Sequence, residues 1–413
     1  MITFIHTADI HFGVENYGRI DPDTGIHTRL LDFDRALNAV IDTAIARNVD
    51  CFIFSGDAYK TAHPTPTQQR LLTRCFLRLY QHHIPLIIIV GNHDHPLSFG
   101  KANALDIFGQ FPADGFHVIS KPEIVHLNTK SGPLNIVGIP WPTRNNISLA
   151  QQHQTKTATE ITDHISHAVG SIIHKMAVDL DPTIPAVLAG HLTVSSGIFS
   201  GSEKRAIYGT DPVLLPSQLA IPPFDYVALG HLHRYQNLNL HGYPAVVYAG
   251  SPERVDFGER KEDKGFCVVT IHEKGNTTHE FIKTPQRPFI QIEVILNNET
   301  DHTEQIMNAI AQHNVANAVV KIIYHLPMHK KNTINNKALY RALMDAHFVV
   351  GIIPHHAFSA RERRNNIKPS MDFQTIVTHY FENKPELADQ KNILIEKTLQ
   401  LFEELQGVEH NDS

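Results

Sequence analysis

The sequence predicts an α/β protein with helix-covered sheets. Short apolar runs rich in Ile, Val and Phe recur up to about residue 283, each stopped by Gly, Asp or Pro. Longer amphipathic stretches lie between them, as in chains whose buried strands alternate with helices. Around Pro285–Pro288 the pattern restarts on a smaller scale.

The strands are read in order as ITFIHTAD, CFIFSGD, PLIIIVGNHD, NIVGIPW, AVLAGH, YVALGH and AVVYAGS. Between the first two, Leu30, Phe33, Leu37, Val40, Ile41 and Ala44 share one face of a helix expected over roughly 30–48. A second helix is expected over roughly 66–82. Beyond Pro288, FIQIEVIL, a helical stretch over 301–313, AVVKIIYHL, a helical stretch over 335–346 and FVVGIIP form a small β-α-β-α-β unit. ARERRNNIKP is then a basic, turn-prone linker. Phe373, Ile376, Val377, Tyr380 and Phe381 follow at helical spacing, and a last helix after Pro385 carries Leu394, Leu401 and Leu405 with Phe402 beside them. The expected divisions are 1–284, 285–358 and 359–413. The two terminal helices must bury their apolar faces on their own chain or on a partner.

Composition narrows the function. The 413 residues carry a formal net charge of −6, so binding to nucleic acid requires locally concentrated positive charge. The charge taken alone slightly disfavours a DNA substrate. Cys51, Cys75 and Cys267 are odd in number, lack a C-x-x-C arrangement and sit among apolar residues, which points to reduced buried thiols and a cytoplasmic location. The first residues have no basic segment followed by a long apolar one, so no cleaved signal is expected. No apolar run approaches the ~20 residues of a membrane span. There is no G-x-x-x-x-G-K-[ST], so ATP hydrolysis by a P-loop is excluded.

The chemistry lies at the strand ends. His is abundant, 29 in all, so a single His carries little weight. Five apolar strands nevertheless each end in metal-ligand side chains: Asp9 and His11; Asp57; Asn92, His93 and Asp94; His191; and His231 with His233. Ligands of α/β sheets gather at the carboxyl ends of strands, so these groups can converge. Gly56, Gly91, Gly190 and Gly230 immediately precede four of them. Carboxylate, imidazole and amide oxygen without thiolate suit Mn²⁺, Fe²⁺ or Zn²⁺, and Mg²⁺ less well. Seven ligands are too many for one ion with an open position. Two ions sharing Asp57, which lies on the strand between the other groups, fit better and suit phosphoryl displacement.

D-x-H, G-D, G-N-H-D, G-H and G-H-x-H together resemble the calcineurin-like metallophosphoesterases. HTADIHFG, SGDAYKTAHPTP, VGNHDHP, AGHLTV, ALGHLHR and YAGSPERVDFGERKEDKGF resemble, more closely, the SbcD family of DNA-repair nuclease subunits. The resemblance implies a sandwich of two sheets flanked by helices, a small α/β capping domain, and C-terminal helices that dock a partner ATPase. It implies that Asp9, His11, Asp57 and His233 hold one metal and Asp57, Asn92, His191 and His231 the other, with manganese preferred. His93 would stabilise charge or donate a proton near the scissile phosphate, with Asp94 orienting its ring. The implied activity is exonucleolytic cleavage of duplex DNA and endonucleolytic cleavage of single strands or hairpins. The implied partners are DNA, an SbcC-type ATPase and a second copy of the chain, as a homodimer within a heterotetramer. Lys60 departs from relatives with His at that position, which leaves the exonuclease-to-endonuclease balance open.

Other features carry two readings. Arg70, Arg74 and Arg78 form either a solvated helix face or a dimer or DNA-facing stripe. Lys330 with Lys331, and Arg361 with Arg363 and Arg364, are soluble surface or phosphate contacts. The resemblance places the loop Tyr248, Gly250 and Ser251 beside the site, while Trp141 reads as a packing residue. The rival functions are a phosphoesterase for a small nucleotide or phosphomonoester, which the net charge favours slightly, and a scaffold that has lost its chemistry, which the intact ligand set disfavours.

Overall fold

The computed structural model describes residues 1–96, 101–110, 115–143, 157–201, 211–297, 300–326, 332–356, 372–382 and 390–409. Its first strands are β1 (Ile2–Thr7), β2 (Cys51–Phe54), β3 (Leu86–Ile89), β4 (Phe116–Ile119), β5 (Glu123–Thr129), β6 (Gly132–Ile139) and β7 (Ala186–His191). Next come β8 (Thr193–Val194), β9 (Val213–Leu214), β10 (Tyr226–Gly230), β11 (Gln236–Asn237), β12 (Ala245–Tyr248), β13 (Gly265–Glu273) and β14 (Asn276–Lys283). One six-stranded sheet has the order β14-β13-β1-β2-β3-β4, and the other β11-β12-β10-β7-β6-β5. β1 to β4 run parallel, as do β6, β7, β10 and β12, so their carboxyl ends share an edge within each sheet.

Strand periodicity builds the layers. Side chains alternate faces along a strand. Phe4, Ile53, Ile87, Val187, Ala228 and Val247 fill the space between the two sheets. Their neighbours Ile5, Phe52, Phe54 and Ile88 face outward onto helices α1 (Thr28–Ala46) and α2 (Pro66–Gln81), meeting Phe33, Leu37, Leu72 and Phe76. On the far side, Ile165, Val169 and Ile173 of the helix Ala158–Val178 cover Val137, Leu188 and Val227. The result is the expected sandwich of two sheets flanked by helices. The three cysteines are buried and free. Among the described residues, no helix is long and apolar enough to cross a membrane.

Helix ends follow local chemistry. Thr65 caps α2 by accepting from the Gln68 amide, while the Gln68 side chain accepts from the Thr65 amide at 2.9 Å, and Pro66 occupies the first turn. α1 begins two residues before the expected start because the His27 side chain accepts from the Arg29 amide. It stops at Ala46, and Asn48 beyond it takes a left-handed φ of +48°. Both strands of the hairpin β13–β14 fall outside the expected set, although GFCVVTI of β13 is itself a buried apolar run. β14 alternates exposed and half-buried residues, so its signal is a weak period of two.

The smaller unit has the expected order. Strands β15 (Phe289–Ile295), β16 (Val319–Leu326) and β17 (Phe348–His356) form a parallel sheet, with helices His302–Ala311 and Asn336–Ala342 between them. Ile292, Ile306, Ile310, Ile322 and Leu339 form its core. The second of these helices is shorter than expected, closing at the Leu343 cap. The terminal helices Phe373–Glu382 and Lys391–Glu409 pack on each other, with the Phe373 and Phe402 rings stacked at 3.9 Å. Tyr380, Ile393 and Leu401 stay exposed. Lys330, Lys331, Arg361, Arg363 and Arg364 lie outside the described residues.

A buried ionic cluster joins the small unit to the large one. Asp32 on α1 receives both Nε and Nη2 of Arg287 at 2.7 Å and Nη1 of the fully buried Arg29 at 2.9 Å. Arg287 also donates to the Asn317 carbonyl at 3.0 Å. Burial pushes the Asp32 carboxyl up, but the bonds from Arg287 and Arg29 outweigh it and hold the group below its ordinary value. Removing one member of such a cluster strands the others. Asp32→Ala should therefore lower the unfolding free energy by ~3–5 kcal/mol in urea titration at neutral pH. Because the folded pKa is depressed, this contribution is fully present above pH ~4 and is lost as pH falls through the folded value. The gap between wild type and variant should narrow accordingly in titrations below pH ~4.

Candidate metal centre

The carboxyl ends of β1, β2 and β3 from one sheet meet those of β7 and β10 from the other. All seven residues expected as ligands come together there, together with His93 and Asp94. Asp9, His11, Asp57 and His191 are essentially inaccessible, and His231 and His233 nearly so. Asp9, His11 and Asp57 take left-handed φ values of +56°, +48° and +57°, and His231 a φ of +105°. Such values are uncommon outside glycine, and they gather where a fold holds side chains against local preference. Backbone bonds between the loops sustain them: Asp9 N–H to the Gly56 carbonyl at 2.9 Å and His11 N–H to the Asp57 carbonyl at 3.1 Å.

Two glycines make the closeness possible. A Cβ on Gly91 would strike the Asp57 carboxylate and amide, and one on Gly230 would strike the Ser55 carbonyl.

The donor chemistry tests whether cations fit. The Nδ1–H of His191 donates to the Ser55 carbonyl at 2.8 Å, so Nε2 presents a lone pair. That lone pair faces Asn92 Oδ1 at 2.9 Å and Asp57 Oδ2 at 3.4 Å, both acceptors. The Nδ1–H of His233 donates to Glu259 at 2.8 Å, so its Nε2 lone pair faces His11 Nε2 at 2.9 Å. His11 Nδ1 is buried without a partner, so one nitrogen of that ring goes unmet in either tautomer. His231 Nδ1 also points at Asn92 Oδ1, at 3.1 Å. Each of these contacts needs a proton or a cation between its atoms, because bare lone pairs at about 3 Å repel one another, and ligand atoms each ~2.0–2.2 Å from a shared cation take up such spacing. Ligand atoms of Asp9, His11 and His233, of His11, Asp57 and His93, and of Asp9, Asp57 and His191 lie within 4.8 Å of one another in each set. The residues fit two divalent cations, with Asp9, His11 and Asp57 each common to two of the three sets.

Electrostatics agree. Burial pushes the Asp9 carboxyl up to about 7 and holds His11 well below the ordinary imidazole range. At His191 burial opposes the charged form, but Asp57 overcomes it and raises the group to about 9, so without a metal the Nε2 lone pair takes up a proton among these acceptors, where a cation would otherwise supply the charge. Burial likewise opposes ionisation of Asp57, yet His191 and His11 hold it well below the usual carboxylate range. A buried donor set with such opposed demands is complementary to concentrated positive charge.

Some expectations need correction. Asp94 does not orient the His93 ring. Its carboxylate accepts three backbone amides, from Ala58 at 3.2 Å, Tyr59 at 3.1 Å and Gly91 at 3.1 Å, and so ties the Asp57 loop to the Asn92 loop. The His93 ring is set instead by the Lys60 carbonyl, which accepts from Nδ1 at 2.9 Å, and its amide donates to Asp57 Oδ1 at 2.9 Å. Trp141 packs against the site itself, its ring lying 4.8 Å from that of His231 and 6.0 Å from that of His191. Tyr248 serves the site through the backbone: its hydroxyl donates to the Leu192 carbonyl at 2.7 Å and accepts from Val194 N–H at 3.0 Å. The Ser251 amide donates to the His233 carbonyl at 3.1 Å. Arg74 pairs with Asp34 at 2.8 Å and Arg78 with Asp42, both acids on α1, so these two arginines tie the helices together.

Sequence reasoning missed Glu259, Lys264 and Asp211. Glu259 accepts from His233 and, at 2.8 Å, from the buried Lys264 ammonium. Asp211 lies 3.6 Å from His231 Nε2. Glu259 and Lys264 stand within the segment YAGSPERVDFGERKEDKGF and Asp211 begins an Asp-Pro turn, but neither signal indicates which histidine each residue serves.

The chain belongs to the calcineurin-like phosphoesterase family, which matches residues 2–235. Within that class it is similar over most of its length to proteins named as the D component of the nuclease SbcCD. The protein of that name from Staphylococcus saprophyticus is 27% identical over 384 residues, covering 92% of each chain. The one from Escherichia coli K12 is 27% identical over 274 residues, 65% of this chain and 64% of that one. Among solved structures, a dimetal phosphatase from Danio rerio aligns with 69% of this chain and 99% of its own, at 9% identity and a TM-score of 0.38. The protein TT1561 of Thermus thermophilus aligns with 68% of this chain and 98% of its own, at 11% identity and a TM-score of 0.38.

The crowding at Gly230 is open to direct test. Gly230→Ala should lower the unfolding free energy by ~1–3 kcal/mol in chemical denaturation, because the added methyl meets the rigid Ser55 carbonyl rather than a side chain that can turn away.

Proposed function

We propose that this protein is a metal-dependent DNA nuclease that hydrolyses phosphodiester bonds at a two-metal site and works in double-strand-break repair with an SbcC-type ATPase. The observation that carries the reading is the convergence of acceptor atoms from five strand ends around Asp57. Similarity along nearly the whole chain to the D component of the nuclease SbcCD supports the substrate and the partner.

In this reading Asp9, His11, Asp57 and His233 hold one ion, and Asp57, Asn92, His191 and His231 the other. Bound divalent cations supply the positive charge that makes water a nucleophile at neutral pH and stabilises the oxygens of an in-line displacement. The ions are Mn²⁺, consistent with mixed oxygen and imidazole donors without thiolate. His93 is the acid–base group. With Nδ1–H committed to the Lys60 carbonyl, Nε2 is the atom left to meet the phosphate or leaving oxygen. Asp94 acts through the backbone and holds the Asp57 and Asn92 loops together.

Residues 1–284 are the nuclease domain, 285–358 a capping domain, and 359–413 the linker and helices that dock the ATPase. Exposed Tyr380, Ile393 and Leu401 on the terminal helices suit that docking. The protein pairs as a homodimer through α2, where exposed Leu77 lines a groove with exposed Ile107 and Tyr80 is exposed on the same helix. It acts in the cytoplasm.

Two outcomes are expected. His93→Leu should lower kcat on linear duplex DNA by ~10² or more while the protein still takes up two equivalents of Mn²⁺ in titration calorimetry. Asp57→Asn should lose uptake itself, and with it the rise in melting temperature that Mn²⁺ confers, worth ~2.7 kcal/mol at a hundredfold excess over Kd. If a chromogenic phosphodiester is hydrolysed while linear duplex DNA stays intact, with and without the ATPase, the small-substrate phosphoesterase replaces this reading.

A further inference from the structure

The segment that follows the Ser251 loop touches both the metal centre and the small unit. Glu259 is fully buried. Its Oε1 accepts the His233 Nδ1–H at 2.8 Å, and its Oε2 meets Lys264 Nζ at 2.8 Å and the Val255 amide at 2.9 Å. Lys264 Nζ reaches back to the His233 carbonyl at 2.8 Å. His233 is thus gripped at its ring and at its backbone by one buried pair.

Two residues before Glu259, Phe257 enters an aromatic cluster. Its ring lies 5.6 Å from that of Phe289 and 6.1 Å from that of Tyr17. Tyr17 in turn meets Phe289 at 5.8 Å and Phe348 at 6.4 Å. Phe289 opens β15, Phe348 opens β17, and Val319 of β16 joins the same buried cluster, so all three strands of the small unit bear on it. Between Phe257 and Glu259 there is a single 3₁₀ turn, closed by the Asp256 carboxylate accepting from the Gly258 amide at 2.6 Å. The turn is too short to absorb a displacement, and packed interiors pass shifts on rather than damping them.

We propose that Phe257 and Glu259 are positioning residues through which the seating of the small unit sets His233, and so sets the affinity of one of the two metal positions. The inference rests on the two-metal reading. On this account the small unit reports its position to the metal centre, and anything that reseats it, DNA or a partner, changes metal occupancy at His233 and leaves the other position unaffected. A purely structural Phe257 would affect stability without distinguishing the two ions.

Mn²⁺ titration calorimetry on the full-length protein, with unfolding monitored in parallel, tests this. Glu259→Gln should weaken one of two Mn²⁺ equivalents by ~10-fold or more and spare the other. Phe289→Leu lies wholly on the small unit and keeps an apolar side chain. It should weaken that same equivalent by a smaller factor, and so should Phe257→Leu. Two binding events unchanged from wild type in both leucine variants would overturn the coupling, as would equal weakening of both. Failure of the unaltered protein to bind two equivalents would instead remove the metal reading beneath it.

Discussion

The Asp57 carboxylate is the constraint around which the rest is arranged. It is buried between imidazoles from both sheets, with His11 Nε2 at 3.6 Å and His191 Nε2 at 3.4 Å from one oxygen. Its other oxygen accepts the His93 amide at 2.9 Å. Holding one acceptor among so many others requires the two sheets to present their carboxyl edges to each other. It requires the left-handed turns at Asp9, His11 and Asp57, and a residue without Cβ at Gly91. Asp94 commits its entire carboxylate to three amides of the two flanking loops. The left-handed turns and the buried carboxylates cost folding free energy locally, and the packed layers on both sides of the sandwich offset it.

Much of this is legible in the amino-acid sequence. The core strands are continuous apolar runs because both of their faces are covered, and each ligand stands directly after such a run. Position along a strand therefore carries nearly all the information about Asp9, His11, Asp57, Asn92, His191, His231 and His233. The small β-α-β-α-β unit is legible for the same reason. What stays hidden depends on contacts distant in sequence. Glu259 serves a histidine 26 residues away, and Arg287 a carboxylate 255 residues away. Nothing in the local pattern distinguishes either from a solvated charge. The role of Asp94 is misread from sequence because adjacency to His93 suggests a side-chain bond, whereas the tight loop turns its carboxylate onto backbone amides. The Arg74 and Arg78 face reads as basic in sequence, but α1 supplies the acids that neutralise part of it.

The two units are joined by more than a linker. The Asp32 cluster fixes Arg287, at the start of the small unit, to α1. The aromatic cluster around Tyr17 seats all three of its strands. The Phe257–Glu259 turn continues from that seat to His233. An enzyme for a small phosphoester would have little use for such an arrangement. One that must respond to a long substrate and a separate motor protein has a reason to connect its peripheral parts to its ligands.

Anomalous diffraction from crystals grown with Mn²⁺ tests the central claim most directly. The account predicts two peaks ~3.5–4 Å apart, with the Asp57 carboxylate between them, His233 and His11 on one and His191, His231 and Asn92 on the other. A single peak, or two peaks that do not share Asp57, would contradict it.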